Sequence, residues 1–69
     1  MSKNVKRYPL SDDYCIECVT LIDDYGNKSY GVAVIFTTLE LEIESVRDIT
    51  SADEANKCYK ELLNKYKGI

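Results

Sequence analysis

Histidine is absent from this chain of 69 residues, proline occurs once, glycine three times and cysteine three times. Each shortage closes off a class of chemistry. Without histidine there is no Ser-His-Asp or Cys-His nucleophile arrangement, and there is no glycine-rich phosphate loop either, so enzyme activity is not expected. Three cysteines cannot all pair within the chain, which argues against a disulfide-stapled secreted scaffold and for a reducing, cytoplasmic setting. Charges interrupt every apolar run before it approaches the ~20 residues needed to span a bilayer, and the basic start, Met1 to Arg7, lacks the apolar core of a signal peptide. No membrane is expected as partner.

A chain this short makes one domain, and it buries only about 60% of the surface that its unfolded form exposes, so self-association would strengthen a marginal core. The net charge is −3, but its distribution is more telling. Lys3, Lys6 and Arg7 give the first seven residues +3, residues 57–69 carry Lys57, Lys60, Lys65 and Lys67 against Glu61 for another +3, and the acidic middle holds −9. An acidic body with small basic ends argues against duplex nucleic acid, whose binders present a concentrated basic face. A protein partner fits better.

Residues 1–13 read as a flexible basic and polar arm, with room for a short edge strand near Val5 to Tyr8. Tyr14 to Ile22 is rich in β-branched and aromatic residues between Asp-rich segments, which signals a strand. Asp23 to Asn27 is turn chemistry, and Ser29 to Thr37 is the second strand. A three-residue loop, Tyr25-Gly26-Asn27, would set Ile22 opposite Tyr30, Thr20 opposite Val32 and Cys18 opposite Val34, leaving Val19, Leu21, Ala33 and Ile35 on the other face. A two-residue loop would exchange these partners. Leu39 to Glu44 alternates apolar and acidic residues, the pattern of a half-buried third strand, with its phase breaking near Ser45. Ser51-Ala52-Asp53-Glu54 matches a capping box, and Ala52, Ala55, Cys58, Tyr59, Leu62, Leu63, Tyr66 and Ile69 share one face of a helix over Ala52 to Tyr66, with Gly68 as terminator. The expected fold is α+β: a three-stranded antiparallel β-meander over residues 14–69 with one C-terminal amphipathic helix packed on one face, a two-layer βββα domain.

Candidate sites follow from that fold. Val19, Leu21, Ala33 and Ile35 form a sheet face that nothing in the chain covers, which suggests a homodimer or another partner. Glu40, Glu42 and Glu44 would stand about 7 Å apart on one strand face, an acidic stripe that with Asp23 and Asp24 could dock a basic protein groove or imitate a phosphate backbone. The bland reading is a solvated face that discourages aggregation. Lys3, Lys6, Arg7 and Tyr8 offer a different class of function, binding of nucleotides or single-stranded nucleic acid. Cys15-Ile16-Glu17-Cys18 has the spacing of a metal or redox knuckle, but within a strand residues three apart point to opposite faces, so buried structural thiols are expected and no metal or cofactor. Gly31 marks a bulge or a close approach of another backbone.

Tyr30-Gly31-Val32, followed by Ile43 to Val46, Asp48, Ile49 and Thr50 leading into a helix, resembles a family of short uncharacterised bacterial proteins, a domain of unknown function. The likeness covers about Tyr14 to Tyr66. It implies a sheet-plus-helix fold and nothing chemical. The functional expectation is therefore a small non-catalytic interaction or regulatory module, homodimeric, with an acidic docking surface; the alternatives are a phage-type inhibitor or nucleic-acid mimic acting on a host nucleic-acid enzyme, and the basic-arm nucleic-acid binder.

Overall fold

The computed structural model describes residues 2–67. Four strands, β1 (Ser2–Pro9), β2 (Tyr14–Ile22), β3 (Lys28–Phe36) and β4 (Leu41–Ile49), form one antiparallel sheet in that spatial order, and the helix α1 (Ala52–Tyr66) packs on β2, β3 and β4. The three-stranded meander is therefore corrected to four strands. What was read as an arm pairs with β2 without a register shift, from Ser2 opposite Ile22 to Pro9 opposite Cys15. Every residue of β1 is exposed, so no apolar period marks it; its backbone is ordered by the ready edge of β2. Pro9, which has no N–H to donate, occupies the last position of this edge strand.

β2 and β3 pair from Tyr14 opposite Phe36 to Ile22 opposite Lys28, two residues away from the expected register. The loop is longer because Asp23 holds it: its Oδ1 accepts from the backbone N–H of Tyr25 and of Asn27, both at 2.9 Å, while Gly26 takes the left-handed φ of 84°. A shift of two keeps each side chain on its face. Ile16, Cys18, Val32 and Val34 thus face α1, and Val19, Leu21, Ala33 and Ile35 face away from it.

β4 departs further from expectation. Residues 37–40 form the turn, closed by a backbone bond from Glu40 N–H to the Thr37 carbonyl at 3.3 Å, with Glu40 itself at φ 50°. Two irregularities interrupt β4: Ile43 is an extra residue between the pairs Ile35–Glu42 and Val34–Glu44, and Arg47 and Asp48 both lie opposite Gly31. Each resets the alternation of faces. Leu39, Leu41 and Ile43 are consequently 71%, 54% and 44% exposed instead of half-buried, and Ile49 is the β4 residue that enters the core.

The helix matches its expected span. Ser51 Oγ accepts from Glu54 N–H at 3.4 Å, and Asp53 and Glu54 lie in the first turn with Lys65 in the last, complementing the dipole. Gly68 and Ile69 lie outside the described residues. Leu62 is the deepest residue of α1, set among Ile16, Val32, Val34 and Ile49 and flanked by Tyr14, Cys58, Leu63 and Tyr66. Fully burying an aliphatic side chain contributes about 1.5–3 kcal/mol. This single layer between helix and sheet is the principal core. Among the described residues no helix is long and apolar enough to cross a membrane.

Candidate functional site

The face of the sheet turned away from α1 is the largest surface without a secondary-structure layer over it. One end of it is closed by ion pairs. Arg7, on the β1 edge, donates Nε–H to Glu17 on β2 at 2.9 Å and both terminal nitrogens to Glu40 in the β3–β4 turn at 2.9 and 3.1 Å. The Arg7 and Glu40 side chains together bridge β2 and β3, since two strand spacings of about 4.8 Å exceed the reach of either alone. Beneath that crossing Cys15, Ala33 and Ile35 are only 6–7% exposed, so the aliphatic stems of charged residues close over apolar side chains in place of a second layer. Glu42, opposite Ile35, adds a pair with Arg47 at 2.7 Å. Bonds to Glu40 and then Glu17 raise the Arg7 guanidinium above its usual range, and Glu40 is lowered in turn by Arg7.

The other end stays open. A concavity of about 320 Å³ lies there, floored by Val19, Gly31 and Ala33 and rimmed by Lys3, Glu42 and Arg47. Gly31 creates it. A methyl group built on Gly31 would meet the Val46 carbonyl oxygen at 3.6 Å and Val19 Cβ at 4.0 Å, ordinary contacts, and its φ is not in the left-handed region. Nothing in the fold forbids a side chain there, yet glycine costs a strand about 0.5–1 kcal/mol relative to alanine. Beside the concavity stands Val5, 44% exposed, opposite Val19 in one ladder as Gly31 is in the next. Val5, Val19 and Gly31 thus form one row across three strands, a projection, a centre and a hollow.

The structure places the sequence candidates as follows. Of the proposed dimer face, Val19 and Leu21 are half-buried, whereas Ala33 and Ile35 are already covered. Glu40, Glu42 and Glu44 do not make one stripe: Glu40 bonds Arg7 from the turn, Glu42 bonds Arg47 on the open face, and Glu44, beyond the bulge at Ile43, bonds Lys65 of α1 at 2.9 Å. The Lys65 bond and a second one from Tyr66 hold Glu44 below the usual carboxylate range. Asp23 is lowered likewise, chiefly by the Asn27 N–H within its own loop. Lys3 and Arg7 lie on the open face of β1, Lys6 and Tyr8 on the helix side, where the Tyr8 ring meets Tyr59 edge-on at 5.8 Å. The basic-arm residues therefore present two surfaces, not one. Tyr25 is 91% exposed at the hairpin tip.

Cys15 belongs to the open face and Cys18 to the helix side, so the two thiols diverge, as strand geometry requires. Burial pushes both thiols up, away from the reactive thiolate. Sequence reasoning missed two parts of the open face, Val5 as its projection and Arg7 as its clasp. The alternation Lys3, Val5, Arg7 carried the signal, but it is indistinguishable from a polar arm until β2 is known to be beside it. No family model, no curated protein and no solved structure matches the chain.

Proposed function

We propose that this chain is a small, non-catalytic interaction module that works as a homodimer, in a reducing, cytoplasmic compartment, through the open face of its sheet. The row Val5, Val19, Gly31 carries this reading. A two-fold axis running along the strand direction above Val19 exchanges the flanking strands, so the Val5 of each copy lies over the Gly31 of the other while the two Val19 side chains meet. Face-to-face sheets pack about 10 Å apart with side chains interdigitating, which is the arrangement a projection beside a hollow allows. The rim carries both signs, Lys3 and Arg47 with Glu17 and Glu42; the two-fold brings the two Glu17 side chains together, each already paired with its own Arg7 at 2.9 Å. The free thiols support the compartment, and the raised thiols and internally paired carboxylates support a role by contact instead of chemistry.

Sedimentation equilibrium tests this reading. The wild-type chain is expected to reach the mass of a dimer as concentration rises, and Val19→Lys to stay at the mass of a monomer while keeping its helix and sheet signals. A wild-type chain that remains a monomer at millimolar concentration refutes it.

A further inference from the structure

A sheet of four strands has two edges, and here they differ in kind. β4 is broken by two register irregularities and holds Asp48 at φ 58°, so its outward N–H and C=O groups do not form a continuous row. β1 runs eight residues with no shift, which is about 27 Å of straight strand. Its inward groups are satisfied by β2. Its outward groups face solvent.

The side chains on β1 say what could pair there. Arg7 is committed to Glu17 and Glu40, whereas Lys3 and Lys6 are exposed and hold no carboxylate among the described ion pairs. They project to opposite faces of the sheet, so an incoming strand would meet one cation on each side. In its two longest registers self-pairing is opposed by the same groups. With two copies of β1 antiparallel about Val5, Lys3 of one lies opposite the cation Arg7 of the other; about Lys6, the two lysines oppose each other. Like charges directly across a ladder are destabilising, and opposite charges favourable. Edge lysines are a usual defence against strand addition, but that defence fails selectively against acid.

We propose that the outer edge of β1 is a docking site for an extended acidic segment of another protein, added antiparallel as a fifth strand. Main-chain bonds along β1 supply the hold, and carboxylates opposite Lys3 and Lys6 supply the choice. Residues opposite these two lysines are three apart on the incoming strand, so the recognised pattern is acid-x-x-acid. The site lies on the outer edge of the sheet and shares only Lys3 with the rim of the open face; its main-chain bonds do not depend on dimerisation.

The test uses the full chain and a fluorescein-labelled peptide, Thr-Glu-Val-Thr-Glu-Val-Thr, followed by anisotropy and by backbone amide chemical shifts. Saturable binding is expected, with shifts concentrated in β1, and with weakening as salt rises from about 50 to about 300 mM. The Lys3→Glu, Lys6→Glu double variant should bind about tenfold more weakly, and a peptide with both glutamates replaced by lysine should not bind. N-methylation of alternate residues separates strand addition from charge attraction: one alternate set should abolish binding and the other leave it intact. Should the double variant lose its fold, Lys6→Glu alone with the N-methylated pair decides the question. Equal binding by the two N-methylated peptides, shifts centred on Val19 and Gly31, or no saturation overturns the proposal. So does a second copy found at this edge, seen as protection of β1 amides in a peptide-free dimer. Repeating the titration with the Val19→Lys monomer keeps failure of this site distinct from failure of the dimer.

Discussion

Replacing Gly31 with alanine should stabilise the monomer and weaken the dimer, a pairing of effects that no purely structural role for the glycine produces. The first effect follows from the chain itself. At a position whose backbone alanine can adopt, the substitution restricts the unfolded state and stabilises by about 0.4–1 kcal/mol. The new methyl group meets the Val46 carbonyl oxygen at 3.6 Å and Val19 Cβ at 4.0 Å, so it adds contact without collision. A domain of this size shifts its melting temperature by about 4–8 °C per kcal/mol, so an increase of about 2–8 °C is expected. The second effect follows from the two-fold arrangement, which seats Val5 over Gly31 twice. Overfilling a packed contact costs about 1–3 kcal/mol, so a dimer containing two such contacts should dissociate at least about thirtyfold more readily.

Thermal unfolding followed by circular dichroism at low micromolar concentration reads the first effect, because there the dimer contributes little to apparent stability. Sedimentation equilibrium reads the second, and a Val5→Ala, Gly31→Ala double variant supplies the cycle: trimming the projection should recover part of what filling the hollow removes. A lowered melting temperature for Gly31→Ala would show that the bulge of Arg47 and Asp48 needs the glycine, contrary to the contact distances. An unchanged dissociation constant, or additive losses in the double variant, would remove Gly31 from the interface.

Two further outcomes test the fold and its ion pairs. Leu62→Ala removes the deepest side chain of α1 and should cost about 3 kcal/mol. Since a domain this small holds only about 5 kcal/mol, its urea midpoint should fall by more than half; a loss below about 1 kcal/mol would mean that the helix is not seated on Ile16 and Val34. The second concerns pH. Glu40, Glu44 and Asp23 have folded values below their unfolded ones, so the stability they contribute is complete above about pH 5 and is lost as pH falls through the folded values. Lys65 and Tyr66 are raised by Glu44 and by burial respectively, so their share is present below about pH 10 and lost as pH rises. Stability should therefore form a plateau with two shoulders, and Arg7→Gln should make the acid shoulder shallower without removing it, because Glu44 and Asp23 keep their partners; an unaltered acid slope in that variant would show that the Arg7–Glu40 pair contributes nothing.

Legibility in the sequence tracked how each element is held. α1 and β2 could be read at their observed bounds, because capping at Ser51, a helical apolar face and a dense β-branched run are local signals. The faces of β2 and β3 could be read although their register could not. Alternation survives a two-residue shift, whereas loop length depended on the Asp23 carboxylate closing the hairpin upon itself. β1 was legible only as room for a short edge strand near Val5 to Tyr8, and its full length from Ser2 to Pro9 was not, since it buries no residue and is specified mainly by its neighbour. The alternation of Leu39 to Glu44 misled for the opposite reason: it is a strong local pattern that the turn at Glu40 and the extra residue Ile43 divide among three environments.

That division of the acids bears on both proposed surfaces. Had Glu40, Glu42 and Glu44 shared one face, Arg7, Arg47 and Lys65 would have lacked the carboxylates they now hold at 2.7–2.9 Å, and Ala33 and Ile35 would lie open at the end that Arg7 now closes. The clasp narrows the apolar part of the open face to the rows around Val5, Val19 and Leu21, which is where a facing copy has something to bury. It also withdraws Arg7 from the edge and leaves Lys3 and Lys6 as the cations that an incoming strand meets. The two surfaces are then separable by salt. Association over an apolar row should change little between low and moderate ionic strength, whereas strand addition guided by two exposed lysines should weaken steeply. Because a face-to-face dimer leaves both β1 edges outward, its full occupancy is one acidic segment per chain.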